Sequence, residues 1–177
     1  VYELLRRVGG VPLTEWPSIR GMEEGERLHY RNKAQFPVRM EDGHLCAGFF
    51  APRSPRLIPL TQCLIQFEAS NRLLTPLLTF LEQLGVTAYD ETTGEGLLRH
   101  ILIRDGRRSG EVLVCLVING RELPEEPRIV SFLMERGVTS VSINVNSSCT
   151  NVILGEKTRI IGGKNAIEEE IGPLTFT

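Results

Sequence analysis

The segment LLRHILIRDGRRSGEVLVCLVIN, residues 97–119, contains two apolar arms joined by a polar, glycine-bearing turn. Apolar and polar residues alternate along the first arm, whereas the second arm, Val112–Ile118, is apolar almost throughout. Alternation is typical of a strand with one solvated face, and a short apolar run is typical of a strand buried on both faces. The segment therefore predicts a hairpin with its turn at Asp105–Ser109 and its second strand at the centre of a sheet.

A second hairpin is expected earlier in the chain. Two strand-like runs, residues 32–38 and 45–51, are separated by the dipeptide Asp42-Gly43. An Asp-Gly pair favours the tight turn of a two-residue hairpin loop. Residues 56–60 add a short strand, and the proline within it favours an edge position.

A helix is predicted between these two hairpins. From residue 68 to residue 85 leucines recur at intervals of three and four residues, and a glycine closes the series. This spacing predicts an amphipathic helix. Pro76 leaves two alternatives, a longer helix kinked at the proline or a shorter one that begins there after a Thr75 cap.

The remaining elements set the fold class. A helix over about 125–137 and a strand over 139–145 are followed by the polar loop NSSCTN and by short strands near 152–154, 158–161 and 166–171. The order β-β-α-β-β-α-β-β-β predicts an α+β fold. We expect a mixed, mostly antiparallel sheet with two main helices on one face.

Composition favours one domain without an obvious charged partner. The 177 residues are 41% hydrophobic and carry a formal net charge of -2. A balanced total can hide a basic patch, and residues 29–56 hold five cationic residues against two acidic ones. The cationic residues are Arg31, Lys33, Arg39, Arg53 and Arg56.

Neither end of the chain has the pattern of a complete protein. Residues 1–28 predict a residual helix, which ends at Gly9, and a linker, and residues 29–177 predict one domain of a longer protein. No apolar run approaches the ~18–20 residues of a membrane span, and no leader pattern is present. The sequence predicts a cytoplasmic location and no membrane partner.

The four cysteines, Cys46, Cys63, Cys115 and Cys149, form no CxxC pair, and their spacing predicts reduced, unpaired thiols. Cys149, in NSSCTN, has no neighbouring base or cation in sequence that would activate a nucleophile. We expect it to be a loop cysteine without a catalytic role. The three histidines occur singly and predict ordinary surface or core residues.

Two further motifs resemble ligand-binding patterns. DETTGEG, Asp90–Gly96, fits the glycine loop of a nucleotide-like cofactor site, but such a loop requires a helix after it, whereas a strand is predicted to follow. We interpret it as a mobile polar connection. Four arginines lie between Arg99 and Arg108, and they are compatible with a solvated face or with one that contacts phosphates.

Four blocks of sequence resemble one known family. They are YRNKAQFPV (30–38), AGFFAPRSPRLIPLTQCLIQ (47–66), LLRHILIR (97–104) and TNVILGE (150–156). In this order they resemble the central region of the RNA uracil-5-methyltransferases, of the type that modifies 23S ribosomal RNA. The resemblance extends from the helix that ends at Gly9 to Phe176.

The resemblance implies the organisation and chemistry of a larger enzyme. Members of the family have an N-terminal RNA-binding barrel, this central domain and a C-terminal Rossmann-like domain. A cysteine thiolate attacks C6 of a flipped uracil, and S-adenosylmethionine then methylates C5. The nucleophile, the general base and the cofactor loop belong to the C-terminal domain. The resemblance therefore implies no catalytic and no cofactor-binding residue in this chain, and an inactive fragment.

Few functional residues carry over. Arg31, Lys33 and Gln35 match the strand that faces RNA, although some relatives have arginine at the Gln35 position. Cys63 matches the last of four cysteines that hold a [4Fe-4S] cluster in some members, and the other three would precede residue 1. We expect the fragment alone to bind no cluster.

The resemblance also implies the partners, which are ribosomal RNA and the other domains of the same protein. Two alternatives stay open. One is a transfer-RNA-modifying relative with the same chemistry, and the other is a stand-alone RNA-binding or assembly module without enzymatic activity.

Overall fold

The structure, a computed structural model, describes residues 1–12, 18, 20, 21, 23 and 27–177. Its helices and strands are α1 (Tyr2–Arg7), β1 (Lys33–Glu41), β2 (His44–Phe50), β3 (Leu57–Pro59), α2 (Glu68–Gln83), β4 (Leu98–Asp105), β5 (Val112–Ile118), α3 (Glu126–Met134), β6 (Ser140–Val145), β7 (Lys157–Gly163), β8 (Glu169–Ile171) and β9 (Leu174–Phe176). The predicted N-terminal helix is confirmed as α1. Most of the predicted linker lies outside the described residues.

Seven strands form one sheet in the order β3-β2-β1-β4-β5-β6-β7. Neighbouring strands are antiparallel except for β5 and β6, which are parallel and are connected through α3. The predicted hairpin of β4 and β5 is confirmed, and β5 lies between β4 and β6 as its apolar sequence predicts. Strands β8 and β9 form a separate hairpin.

Both main helices contribute to a single hydrophobic core. Alternate residues of the central strands, such as Phe36, Ile101 and Leu116, belong to one buried cluster with leucines of α2 and with Ile129 and Leu133 of α3. Successive strand residues point to opposite faces of a sheet. Because α2 and α3 share this one cluster, both cover the same face. The predicted α+β class with a mostly antiparallel sheet is confirmed.

Two local predictions are resolved by backbone geometry. Helix α2 is continuous through Pro76, so the helix begins well before the proline rather than at it. Asp42 and Gly43 both have positive φ angles, 50° and 84°, as a type I′ hairpin turn requires. The β1–β2 hairpin therefore forms where the Asp-Gly pair predicts it.

The predicted strand at 152–154 is wrong. This apolar tripeptide belongs to an irregular loop, residues 146–156, that follows β6. The Asn146 side chain donates hydrogen bonds to the carbonyls of Val152 (2.7 Å) and Ile153 (3.0 Å), so these carbonyls bond to an amide instead of a neighbouring strand. The strands expected near 158–161 and 166–171 are present as β7 and the shorter β8.

Among the described residues, no helix has both the length and the apolar character needed to cross a membrane.

Candidate nucleic-acid interface

The face of the sheet opposite the helices presents a polar strip. In β1 the core residues are Ala34, Phe36 and Val38, so Lys33 and Gln35 alternate with them and point to the helix-free face. In the same way Arg104 of β4 alternates with the core residue Ile103. This face therefore carries two of the three RNA-contacting residues that the sequence predicts.

Lys33 and Arg104 are directly opposite each other in the β1–β4 ladder. The Cβ atoms of such a pair are about 4.5–5.5 Å apart. Within the described part of the chain, neither side chain forms an ion pair with a carboxylate. Two cations therefore share one position on the sheet, and an anion placed between them would be attracted to both.

A cavity of about 410 Å³ lies beside this cationic pair. Asn32, Lys33 and Arg104 line one side, and Phe176 of the C-terminal hairpin contributes to its wall. The hairpin is held to the β4–β5 turn by the Glu169 carboxylate, which accepts hydrogen bonds from backbone N–H groups of that turn. The lining combines the two cations with the carboxylates of Asp105 and Glu169, with amides and with apolar groups.

A second cavity, about 470 Å³, lies farther along the same strands. Gln35, Arg39, Phe50, His100 and Asn151 are among its lining residues. Burial, together with the cations of neighbouring arginines, lowers the pKa of His100 to about 4, so its imidazole is neutral at neutral pH. The loop 146–156 forms the rim of this cavity opposite the strands.

Arg31 lies at the end of the strip, just before β1. Its backbone N–H donates to the Ile65 carbonyl (2.9 Å), and its carbonyl accepts from the Phe67 N–H (3.1 Å). Its exposed guanidinium donates from Nε to the Lys33 carbonyl (3.2 Å). Arg31 therefore borders the cationic pair from a segment fixed by the residues that precede α2.

The four arginines of the β4–β5 hairpin have different environments. Arg99 is buried, donates to the carbonyls of Asn146 (2.7 Å) and Ser148 (2.8 Å), and lies 4.5 Å from the centre of the Tyr89 ring. It therefore fixes the start of the loop 146–156. The two turn arginines are exposed, and Arg104 alone of the four lines the cavity beside Lys33. The RNA-contacting residues predicted from the sequence did not include Arg104, because its position opposite Lys33 depends on the register of two strands that are distant in sequence.

Cys63 is half-buried in the connection between β3 and α2. The Asn71 side chain accepts from its backbone N–H (2.8 Å) and donates to its carbonyl (3.0 Å), so the position of Cys63 is set by the first turns of α2. Across the described residues, no group of three or more histidine, cysteine or acidic side chains could hold a metal ion. The described residues therefore do not form a complete [4Fe-4S] site. Cys63 would be one of four thiolate ligands, as the resemblance implies.

Two other motifs from the sequence have no ligand-binding geometry. The Asp90–Gly96 loop closes as a hydrogen-bonded turn, with Gly94 N–H donating to the Asp90 carbonyl (2.8 Å), and leads into β4. It lacks the following helix that a phosphate loop uses. Cys149 is exposed, and its sulfur lies 3.8 Å from the Tyr89 hydroxyl, a phenol rather than a basic group.

Comparison with known proteins identifies RNA methyltransferases with similar sequences. No protein-family model matches the chain. Over 99% of its length, however, it is 38% identical to a protein of Halalkalibacterium halodurans and to one of Clostridium tetani, each named an uncharacterized RNA methyltransferase. These matches support an RNA methyltransferase family. The chain spans 38% of the length of each of these relatives.

A solved structure shares the fold. The tRNA (uracil-54, C5)-methyltransferase of Pyrococcus abyssi, crystallised with S-adenosyl-L-homocysteine, matches 85% of this chain with a TM-score of 0.69. The two sequences are 21% identical over that match, which covers 35% of the archaeal chain. Similarity at this level shows a common fold, and it does not extend to the substrate.

Proposed function

We propose that the chain is the central RNA-contacting domain of an S-adenosylmethionine-dependent 23S ribosomal RNA (uracil-5-)-methyltransferase. In this proposal residues 29–177 form the domain, residues 1–28 form a helix and linker, and the barrel and the Rossmann-like domain belong to the rest of a longer cytoplasmic protein. The sequence relatives support a methyltransferase, and the four family-like blocks support the uracil-5 type. The opposed cations Lys33 and Arg104 support the RNA contact.

The cationic pair is the observation that best supports an RNA contact. Like charges directly opposite each other weaken a sheet, so the pair is unfavourable without an anion nearby. A nucleic-acid phosphate placed near both would remove that repulsion and release counterions from the RNA. The exposed Arg31 extends the positive strip, and Asn32 adds an amide at the cavity wall. Contacts of this kind position a backbone, whereas the neutral Gln35 amide is suited to a base edge.

The chemistry of methylation is assigned to the other parts of the protein. S-adenosylmethionine supplies the methyl group when it is bound there. The glycine-bearing motif Asp90–Gly96 leads into a strand, so we assign the cofactor no binding residue here. If the protein carries a [4Fe-4S] cluster, Cys63 supplies one ligand from the segment held by Asn71, and the other thiolates come from outside this chain.

A tRNA-modifying enzyme with the same chemistry is the second candidate, because the solved structure that shares the fold is that of a tRNA (uracil-54, C5)-methyltransferase. Full-length protein would be incubated with labelled S-adenosylmethionine and with transcripts of 23S ribosomal RNA or tRNA, and methylated positions would be mapped by mass spectrometry. We expect 5-methyluridine in the ribosomal transcript. Methylation confined to tRNA would select the second candidate, and RNA binding without methyl transfer to either would select the stand-alone binding module.

The chain alone provides a complementary measurement. We expect it to bind RNA weakly, to transfer no methyl group and to bind no S-adenosylmethionine. Calorimetric titration that shows micromolar binding of S-adenosylmethionine to the chain would contradict the assignment of the cofactor to another domain.

A further inference from the structure

We propose that the cavity lined by Gln35, Phe50, His100 and Asn151 binds one unstacked nucleobase of a single-stranded RNA. This inference rests on the proposed RNA contact and adds a base-reading pocket to a strip that otherwise contacts phosphates. Its volume, about 470 Å³, lies within the range of small-ligand sites, and its lining mixes aromatic surface with a few polar groups.

The aromatic component is Phe50, which remains 40% exposed at the end of β2. Its ring lies 5.3 Å from the guanidinium carbon of Arg39, and Arg39 Nη2 is 3.0 Å from Glu91 Oε1. The Glu91 carboxylate therefore neutralises Arg39, so Arg39 does not offer a free cation to a phosphate. Its guanidinium instead packs against the Phe50 ring. An exposed aromatic ring at the edge of a cavity is the surface on which unpaired RNA bases stack.

The polar component can read the edge of a base. The side-chain amides of Gln35 and Asn151 line the cavity, and neither forms a hydrogen bond with another described residue. Each amide presents a donor and an acceptor, which is the pattern that base edges require. His100 adds an imidazole to the lining, and its buried Nδ1 has no hydrogen-bond partner in the described structure.

The position of the cavity relative to the cations fits one nucleotide. Gln35 follows Lys33 by two residues on the same face of β1, which corresponds to about 6.6–6.8 Å along a strand. A phosphate held between Lys33 and Arg104 would therefore place its own or the next base near Gln35. The charged residues of the lining already have partners, because Arg39 is paired with Glu91 and the buried Arg99 donates to backbone carbonyls. We therefore assign the cavity to a base and not to the backbone.

Equilibrium binding of the full chain tests this inference. Fluorescence anisotropy at low and at intermediate salt would compare a short single-stranded oligouridylate with the same oligomer carrying abasic nucleotides. The variants are Phe50→Ala, Gln35→Leu as a second cavity change, and Ile58→Ala as a matched control, because Ile58 is an exposed apolar residue of β3 outside the cavity. Circular dichroism would establish that each variant is folded.

We expect the wild-type chain and Ile58→Ala to bind the intact oligomer at least about fivefold more tightly than the abasic one, as loss of one stacked base implies. Phe50→Ala and Gln35→Leu should bring the ratio of the affinities for the intact and the abasic oligomer closer to one. The slope of log affinity against log salt should be unchanged in both variants. A ratio that both folded variants retain would overturn the base pocket. Equal wild-type binding of the two oligomers would overturn it and leave the phosphate contact intact, whereas no binding of either would overturn both proposals.

Discussion

Lys33 lies directly opposite Arg104 across the β1–β4 ladder, so two cations face each other on the side of the sheet opposite α2 and α3. Opposed like charges weaken a sheet, and these two have no carboxylate partner among the described residues. The arrangement lowers the stability of the free domain and raises its affinity for an anion. Stability and RNA binding should therefore respond in opposite directions when one of the two charges is removed.

Lys33→Ala and Arg104→Ala should each raise the free energy of unfolding, by at most about 1 kcal/mol. Each should also weaken RNA binding and lower the slope of log affinity against log salt by about one per lost phosphate contact. Arg31→Ala should lower the salt slope without a gain in stability, because Arg31 has no cation opposite it. Urea titration and anisotropy over a range of salt concentrations measure the two quantities.

Arg128→Ala is the matched control for these three variants. Arg128 is exposed on α3, in the layer that covers the opposite face of the sheet, so its removal should leave the salt slope unchanged. Unchanged slopes in all of the strip variants would show that RNA does not contact this face.

Arg99→Lys should destabilise the domain by about 1.5–3 kcal/mol. Nη1 of the buried guanidinium donates to the carbonyls of Asn146 and Ser148 while the planar group lies over the Tyr89 ring, and a lysine ammonium cannot keep both the hydrogen bonds and this ring contact. Hydrogen exchange should also become faster in the loop 146–156. Arg104→Lys keeps an exposed charge and serves as the control. A stable Arg99→Lys variant with unchanged exchange would show that the loop is fixed by other contacts.

Asn144→Asp should be destabilising by about 2–4 kcal/mol at neutral pH. The Asn144 amide donates to the Gly155 carbonyl (3.0 Å) and accepts from the Gly155 N–H (2.7 Å), and a carboxylate would set an oxygen against that carbonyl. Acidification should narrow the difference from wild type, since a protonated carboxyl can donate again. Asn165→Asp, at an exposed position, provides the comparison in urea titrations at several pH values.

Cys63→Ser should reduce the iron and sulfide content of the full-length protein if that protein carries a [4Fe-4S] cluster. Asn71→Ala should reduce it less, because this variant removes two hydrogen bonds that position Cys63 and leaves the thiolate in place. Cys115→Ser, in the buried strand β5, is the control for general effects of losing a thiol. Equal iron content in wild type and Cys63→Ser would exclude Cys63 as a ligand.

Local periodicity was sufficient to predict most of the fold. The alternation and apolar runs of residues 97–119 correspond to β4 and β5, and the leucine spacing corresponds to α2. Both patterns arise from which side chains meet the core, and this is a property of one segment at a time. The same alternation places Lys33 and Gln35 on one face of β1.

Features that depend on two distant segments could not be predicted. The pairing of Lys33 with Arg104 requires the register between β1 and β4, which no local pattern encodes. The apolar residues 152–154 fit a strand by composition, but the amide of Asn146 bonds to two of their carbonyls and keeps the segment in a loop. The second cavity depends on that loop and was equally inaccessible to sequence reasoning.

Asp105→Asn should raise the free energy of unfolding at neutral pH by about 1 kcal/mol and change its pH dependence. Asp105 is buried at the end of β4, and neither carboxylate oxygen has a hydrogen-bond partner in the described structure. Burial raises its pKa from 3.8 to about 6, and the nearby Ser70 hydroxyl and Arg72 guanidinium oppose this rise only in part. Because the folded state holds the proton more tightly than the unfolded state, the contribution of Asp105 to stability falls as pH rises from about 4 to about 6.

The difference in stability between Asp105→Asn and wild type should therefore grow over that interval and be constant above it. Other carboxylates contribute to both proteins equally, so the difference isolates Asp105. Asp90→Asn is a control that should change stability in the opposite direction, toward a less stable protein. Backbone hydrogen bonds from Thr92 lower the pKa of the exposed Asp90, so its ionised form favours the folded state. Urea titrations of the three proteins between pH 4 and pH 8 provide the comparison, and a pH-independent difference for Asp105→Asn would show that its carboxyl ionises normally in the folded domain.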